Sequence, residues 1–133
     1  MSQDRPNGPA EPDQRAVMTA EMARTAFQRK AVTHLPPREA LDDAIAFFQA
    51  RGYRAGRTGR PNQVFVMGGR EGILPRVNAE ILAQGNVGRA RTTMLTISGF
   101  GERLQATLRE YADHLRDERR RARATPPNSE PAV

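Results

Sequence analysis

The hydrophobic period of this chain changes twice, and that change limits its fold more than any short motif. Residues 39–51 place Leu41, Ala44, Ile45 and Phe48 at helical spacing, with Phe47 widening the apolar face. Glu39, Asp42 and Asp43 lie near the start of this segment and Arg51 at its end, as a helix dipole favours, and Gly52 follows as the C′ residue. From Tyr53 to Ser98 the apolar residues alternate instead. From Leu104 the helical stripe returns as Leu104, Leu108, Tyr111 and Leu115.

Within the alternating stretch, Tyr53–Arg57 and Gln63–Met67 read as strands around a Thr58–Asn62 hairpin loop, and Gly68, Gly69 and Gly72 mark a turn. Arg76–Ala83 fits a strand through Val77, Ala79 and Ile81, or a short helix through Val77, Ile81 and Leu82. The strand is preferred, because Gln84–Gly88 then makes a hairpin into Arg91–Ser98. That last run sets Thr93, Leu95 and Ile97 against Thr92, Met94, Thr96 and Ser98, so one face is meant for a core and one for solvent. The expected fold class is α+β, a two-layer domain over 36–121 in the order helix, three- or four-stranded antiparallel sheet, helix. Its second helix should pack on Phe65, Leu95 and Ile97.

Residues 15–35 read as a helical N-terminal extension, with Val17, Met18, Met22, Ala26 and Phe27 near one face until Pro36-Pro37 stops any helix. The segments 1–14 and 122–133 are polar and largely Pro-rich, and are expected to be disordered tails. No signal peptide and no run long enough to cross a bilayer is visible, so a cytoplasmic protein without a membrane partner is expected.

Composition narrows the chemistry. The chain has no Cys, which removes disulfides, thiolate nucleophiles and Cys-based zinc or iron–sulfur sites. Its two His, His34 and His114, lie beside a Pro-Pro break and on a polar helix side, and the acids Asp42, Asp43, Glu71 and Glu80 lack metal-ligand spacing. Ser98-Gly99-Phe100-Gly101 sits at a strand-to-helix turn, yet its Ser precedes both glycines and no base accompanies it. The glycine clusters lack the Lys-Ser/Thr ending of a phosphate-binding loop. No catalytic residue, metal, cofactor or small-molecule substrate is therefore expected, and the chain is read as non-enzymatic. A base-stacking sheet is not expected either, because Phe48, Phe65, Tyr111 and Phe100 are assigned to the core.

Charge supplies the one functional lead. Cations outnumber acids by 21 to 15, and all but Lys30 are Arg. Shared GC-rich codons for Arg, Ala, Gly and Pro account for Arg over Lys, but not for the surplus. Arg51, Arg54, Arg57 and Arg60 recur every third residue, and with Arg70 they give the acid-free stretch 44–70 a charge of +5 out of +6. This basic hairpin is the expected site for nucleic acid or another polyanion. The alternative is a homodimer or protein-interaction module that pairs through the Thr92/Met94/Thr96/Ser98 face, with the basic surface incidental.

Overall fold

The alternating stretch forms β2 (Arg54–Arg57), β3 (Gln63–Met67), β4 (Asn78–Val87) and β5 (Thr92–Gly99). The computed structural model describes residues 13–124, and adds α1 (Gln14–Arg24), β1 (Phe27–Thr33), α2 (Pro37–Ala50) and α3 (Glu102–Ala124). Three helices and a five-stranded antiparallel sheet, ordered β1-β5-β4-β3-β2, make the chain α+β. Arg76–Ala83 falls mostly within β4, so the strand reading holds there over the helical one.

The fifth strand corrects the sequence reading. Residues 27–33 do not continue a helix from 15 to 32 but form β1, paired with β5 from Phe27 opposite Gly99 to Thr33 opposite Thr93. Helix α1 stops at Thr25, whose hydroxyl donates to the Glu21 carbonyl at 2.8 Å. Pairing with β5 gives the inward-facing backbone groups of 27–33 their partners and buries Phe27 and Thr33, which an isolated helical extension would leave exposed. The alternation of β1 is masked because Arg29 takes a core-side position. It stays exposed there by reaching over the Phe27 ring at 5.3 Å towards Asp113 of α3.

Two boundaries also move. The β4–β5 turn lies at 88–91 rather than 84–88, because a bulge between Gln84 and Val87, with Asn86 at φ 56°, absorbs Gly85 and Asn86 into β4. The expected tails shorten as well: Asp13 caps α1 by accepting from the Arg15 amide, and α3 runs through Ala124. Residues 1–12 and 125–133 of those tails lie outside the described residues.

The core gathers the inward faces of sheet and helices. Leu41, Ala44, Phe47 and Phe48 of α2 and Leu104, Leu108, Tyr111 and Leu115 of α3 are buried with Val64, Val66, Ile81, Leu95 and Ile97. Phe65 is the exception among the expected partners of α3. Strand alternation sends Val64 and Val66 inward, so Phe65, between them, faces away from the helices.

The start of α3 is held from outside the helix. Glu71 accepts from the Arg103 amide at 2.7 Å and the Leu104 amide at 3.1 Å, while the Thr25 hydroxyl accepts from the Gly101 amide at 2.9 Å. Gly101 has φ 112°, and a Cβ there would lie 2.4 Å from Val77 Cγ1, so only glycine fits.

Two substitutions test this packing. Leu108→Ala should lose about 2–5 kcal/mol in denaturant unfolding, since it opens a cavity under α3. The Tyr111 hydroxyl is buried without a hydrogen-bond partner, so Tyr111→Phe should leave stability unchanged or raise it by up to ~1 kcal/mol. Burial, with the Asp43 carboxylate adding to it, also pushes the Tyr111 phenol above its ordinary value. The folded chain then keeps a proton that the unfolded chain has lost. Stability should be fully present below pH ~10, fall as pH rises beyond it, and fall less in Tyr111→Phe.

Candidate functional site

Strand geometry divides the expected arginine cluster. In β2 the core-side positions are Ala55 and Arg57, and the opposite positions are Arg54 and Gly56. Arg57 donates to Asp42 of α2 at 2.7 Å and to the Arg38 carbonyl at 3.1 Å. Arg51, the C-cap of α2, pairs with Glu110 of α3 at 2.9 Å, donates to the Phe47 carbonyl and stacks 3.5 Å above the Phe47 ring. These two guanidiniums tie α2 to its neighbours. Arg60 stands apart in the hairpin loop, where its backbone amide donates to the Thr58 hydroxyl at 3.0 Å.

Arg54 and Arg70 do come together, and they are joined by Arg76, which the sequence reading missed. All three line a notch of about 290 Å³ with Met67, Gly68 and Pro75. The loop between β3 and β4 builds it. Gly68 donates to the Val77 carbonyl at 3.0 Å and Val77 donates to the Gly69 carbonyl at 3.2 Å, so the chain returns beside its own departure point. Arg76 thereby reaches Met67, with its Nη1 3.4 Å from the sulfur. Arg54 stands opposite Met67 in the β2–β3 register. Once Met67 and Asn78 are register partners, the residues flanking them must be neighbours.

Among the described residues, no acid lines the notch. Glu71, the one acid of the loop, is turned to the start of α3 and its two amides. Among the described residues, neither Arg54 nor Arg70 has a side-chain hydrogen bond or ion pair. Among the described residues there is no group of His, Cys, Asp and Glu placed to hold a metal ion. The nearest approach to a catalytic pairing, His114 with Asp43, spans 3.9 Å, and the imidazole packs against Phe47 and Tyr111. No helix among the described residues is long and apolar enough to cross a membrane.

The sheet face opposite α2 and α3 carries cross-strand rows. One row runs Gly56, Phe65, Glu80, Ser98, Gln28, and the next Gln63, Leu82, Thr96, Lys30. A cleft of about 800 Å³ opens between this face and α1, lined by Met22, Phe65, Met67, Glu80, Ser98 and Phe100 among others. Met67 lines both the cleft and the arginine notch. Glu80 accepts from Gln63 at 2.9 Å, and Gln63 accepts from the Thr58 hydroxyl at 2.9 Å. The assignment of Phe65 to the core is thus overturned, and Phe100 also borders the cleft. Sheet, notch and cleft define an α+β protein with a basic recess at one sheet edge. Comparison with protein-family models, curated proteins and solved structures finds no match.

The sorting of arginines is measurable. Arg51→Ala should cost roughly 1 kcal/mol, because it removes an ion pair and a stacked guanidinium. Arg54→Ala should stay within about 0.5 kcal/mol of the parent chain, as expected for an exposed side chain with no partner. Thermal unfolding of the two variants side by side gives the comparison.

Proposed function

We propose that this chain is a small non-enzymatic, two-layer α+β domain of the cytoplasm that binds nucleic acid through the recess formed by Arg54, Arg70 and Arg76. One observation carries the reading: guanidiniums from β2 and from the β3–β4 loop line a single notch that has no acidic lining residue among the described residues. Planar forks with several donors suit phosphate oxygens, and charge held in a concavity raises the local concentration of anions. Arg60, in the loop at the other end of β2 and β3, and Lys30, on the far edge strand β1, lie apart from the notch. Arg51 and Arg57, engaged with Glu110 and Asp42, serve the fold in this reading rather than the ligand.

Arg54→Glu with Arg76→Glu tests it, against Arg89→Glu with Arg120→Glu. The control pair changes net charge equally at the far end of β4 and on α3, and both of its residues are exposed. Fluorescence anisotropy with labelled oligonucleotides at ~100 mM salt should show the notch pair losing at least about ten-fold more affinity than the control pair. The parent chain should lose about 0.7–0.9 in log–log slope with salt for each phosphate neutralised. Equal losses in the two pairs would reduce the interaction to diffuse charge and defeat the proposal.

A second reading, self-association through the open sheet face, draws on Leu82, a large apolar side chain that is 40% exposed there, beside the Met94–Val32 pair. Light scattering across protein concentrations reports on it directly.

A further inference from the structure

Resting on the anion-site reading above, we propose that the ligand is single-stranded nucleic acid, with an unpaired base stacked on Phe65 in the cleft and its flanking phosphate in the arginine notch. Phe65 is an aromatic ring in the middle of a strand, on the sheet face that α2 and α3 leave open. Its position there is built. The residue opposite is Gly56, and a Cβ at Gly56 would come within 3.2 Å of the Phe65 ring, so a larger residue would push the ring off the β2 backbone. The ring is therefore supported from beneath by β2 and bounds a cleft large enough to admit a planar heterocycle.

Cleft and notch adjoin, because Met67 lines both. Arg54 lies opposite Met67, two residues along β2 from the Gly56–Phe65 pair. Two residues of strand cover about 7 Å, a span that one sugar bridges between a base and its phosphate. The chemistry on either side of the ring differs in sign. On one side lie Arg54, Arg70 and Arg76. Across β4 from Phe65 lies Glu80, which repels phosphate but accepts hydrogen bonds from the exocyclic amine of a base. A strand crossing here is thus oriented, with backbone towards the arginines and base towards Glu80. A duplex cannot use the cleft, since its bases are already stacked inside the helix and α1 overhangs the approach. An apolar peptide or a second copy of the chain would fill the cleft but leave the notch without a counter-charge.

The experiment uses the absence of Trp from the chain, which makes Phe65→Trp a single-Trp reporter, excited at the red edge where the two Tyr absorb little. Oligo-dC is titrated into this variant alongside inorganic polyphosphate, which carries the charge but no base. Oligo-dC should quench the Trp emission saturably, with the midpoint found by anisotropy, and polyphosphate should bind without quenching. In parallel, Phe65→Leu keeps an apolar cover over Gly56 but removes the stacking face. It should weaken oligo-dC binding about ten-fold or more, in the range of one lost base stack, and leave polyphosphate binding within about two-fold. If Phe65→Trp lacks the circular dichroism of the parent chain, Phe65→Leu decides alone. An unchanged ratio of oligo-dC to polyphosphate affinity in Phe65→Leu overturns the stacking inference while the anion site stands. Failure of the parent chain to bind either polymer overturns the anion site itself. A dimer that saturating oligo-dC does not dissociate, and that blocks quenching, assigns the cleft to self-association and also overturns the inference.

Discussion

The first turn of a helix leaves amides with no helical partner, and in α3 the Glu71 carboxylate takes two of them. The rest of the arrangement depends on this contact. Glu71 belongs to the loop that carries Arg70 and Arg76, so the interaction that starts the helix also fixes the loop. The Thr25 hydroxyl performs the matching service from the other side, joining the α1–β1 junction to Gly101. Helix, loop and N-terminal strand are registered against one another through these few hydrogen bonds. Removing Glu71 from the recess has an electrostatic effect as well. With its oxygens turned to the amides of a positively polarised helix end, Glu71 keeps its charge but does not direct it into the notch.

The sheet imposes the second constraint. Period-two geometry forces successive residues of β2 to opposite faces, so an arginine every third residue cannot form one patch. Arg57 is sent towards α2 and Arg54 away from it. What decides their roles is the acid within reach of each: Asp42 pairs with Arg57, whereas Glu80 on the open face accepts from Gln63 and not from Arg54. Charge counted along the sequence is therefore a poor guide to charge available at a surface.

The same geometry explains what could be read in advance. α2 and α3 were legible because their apolar positions repeat at 3.6 residues, and β5 because hydroxyl and apolar residues alternate cleanly. β3 was legible as a strand but not as an orientation. In QVFVM the outward Phe65 and Met67 are as apolar as the inward Val64 and Val66, so pattern alone cannot say which side holds the core. β1 was hidden by Arg29, a charged residue at a core-side position that only an edge strand beside α3 can tolerate. Asn86, with its left-handed backbone, carried the signature of a turn and proved to be a bulge. Of the arginine site, Arg54 and Arg70 were visible as residues, but their grouping with Arg76 required the register of β3 with β4.

The pairing of β1 with β5 joins the earliest strand of the chain to the latest. During synthesis β1 emerges with Phe27 bare and no neighbour, and it stays so until the segment from Thr92 onward is complete. Helix α2 and the hairpins from β2 to β5 can meet through local contacts, whereas β1 must close a loop that contains all of them. β1 is thus the strand whose pairing closes the longest loop in the sheet, and the burial of Phe27 depends on that closure.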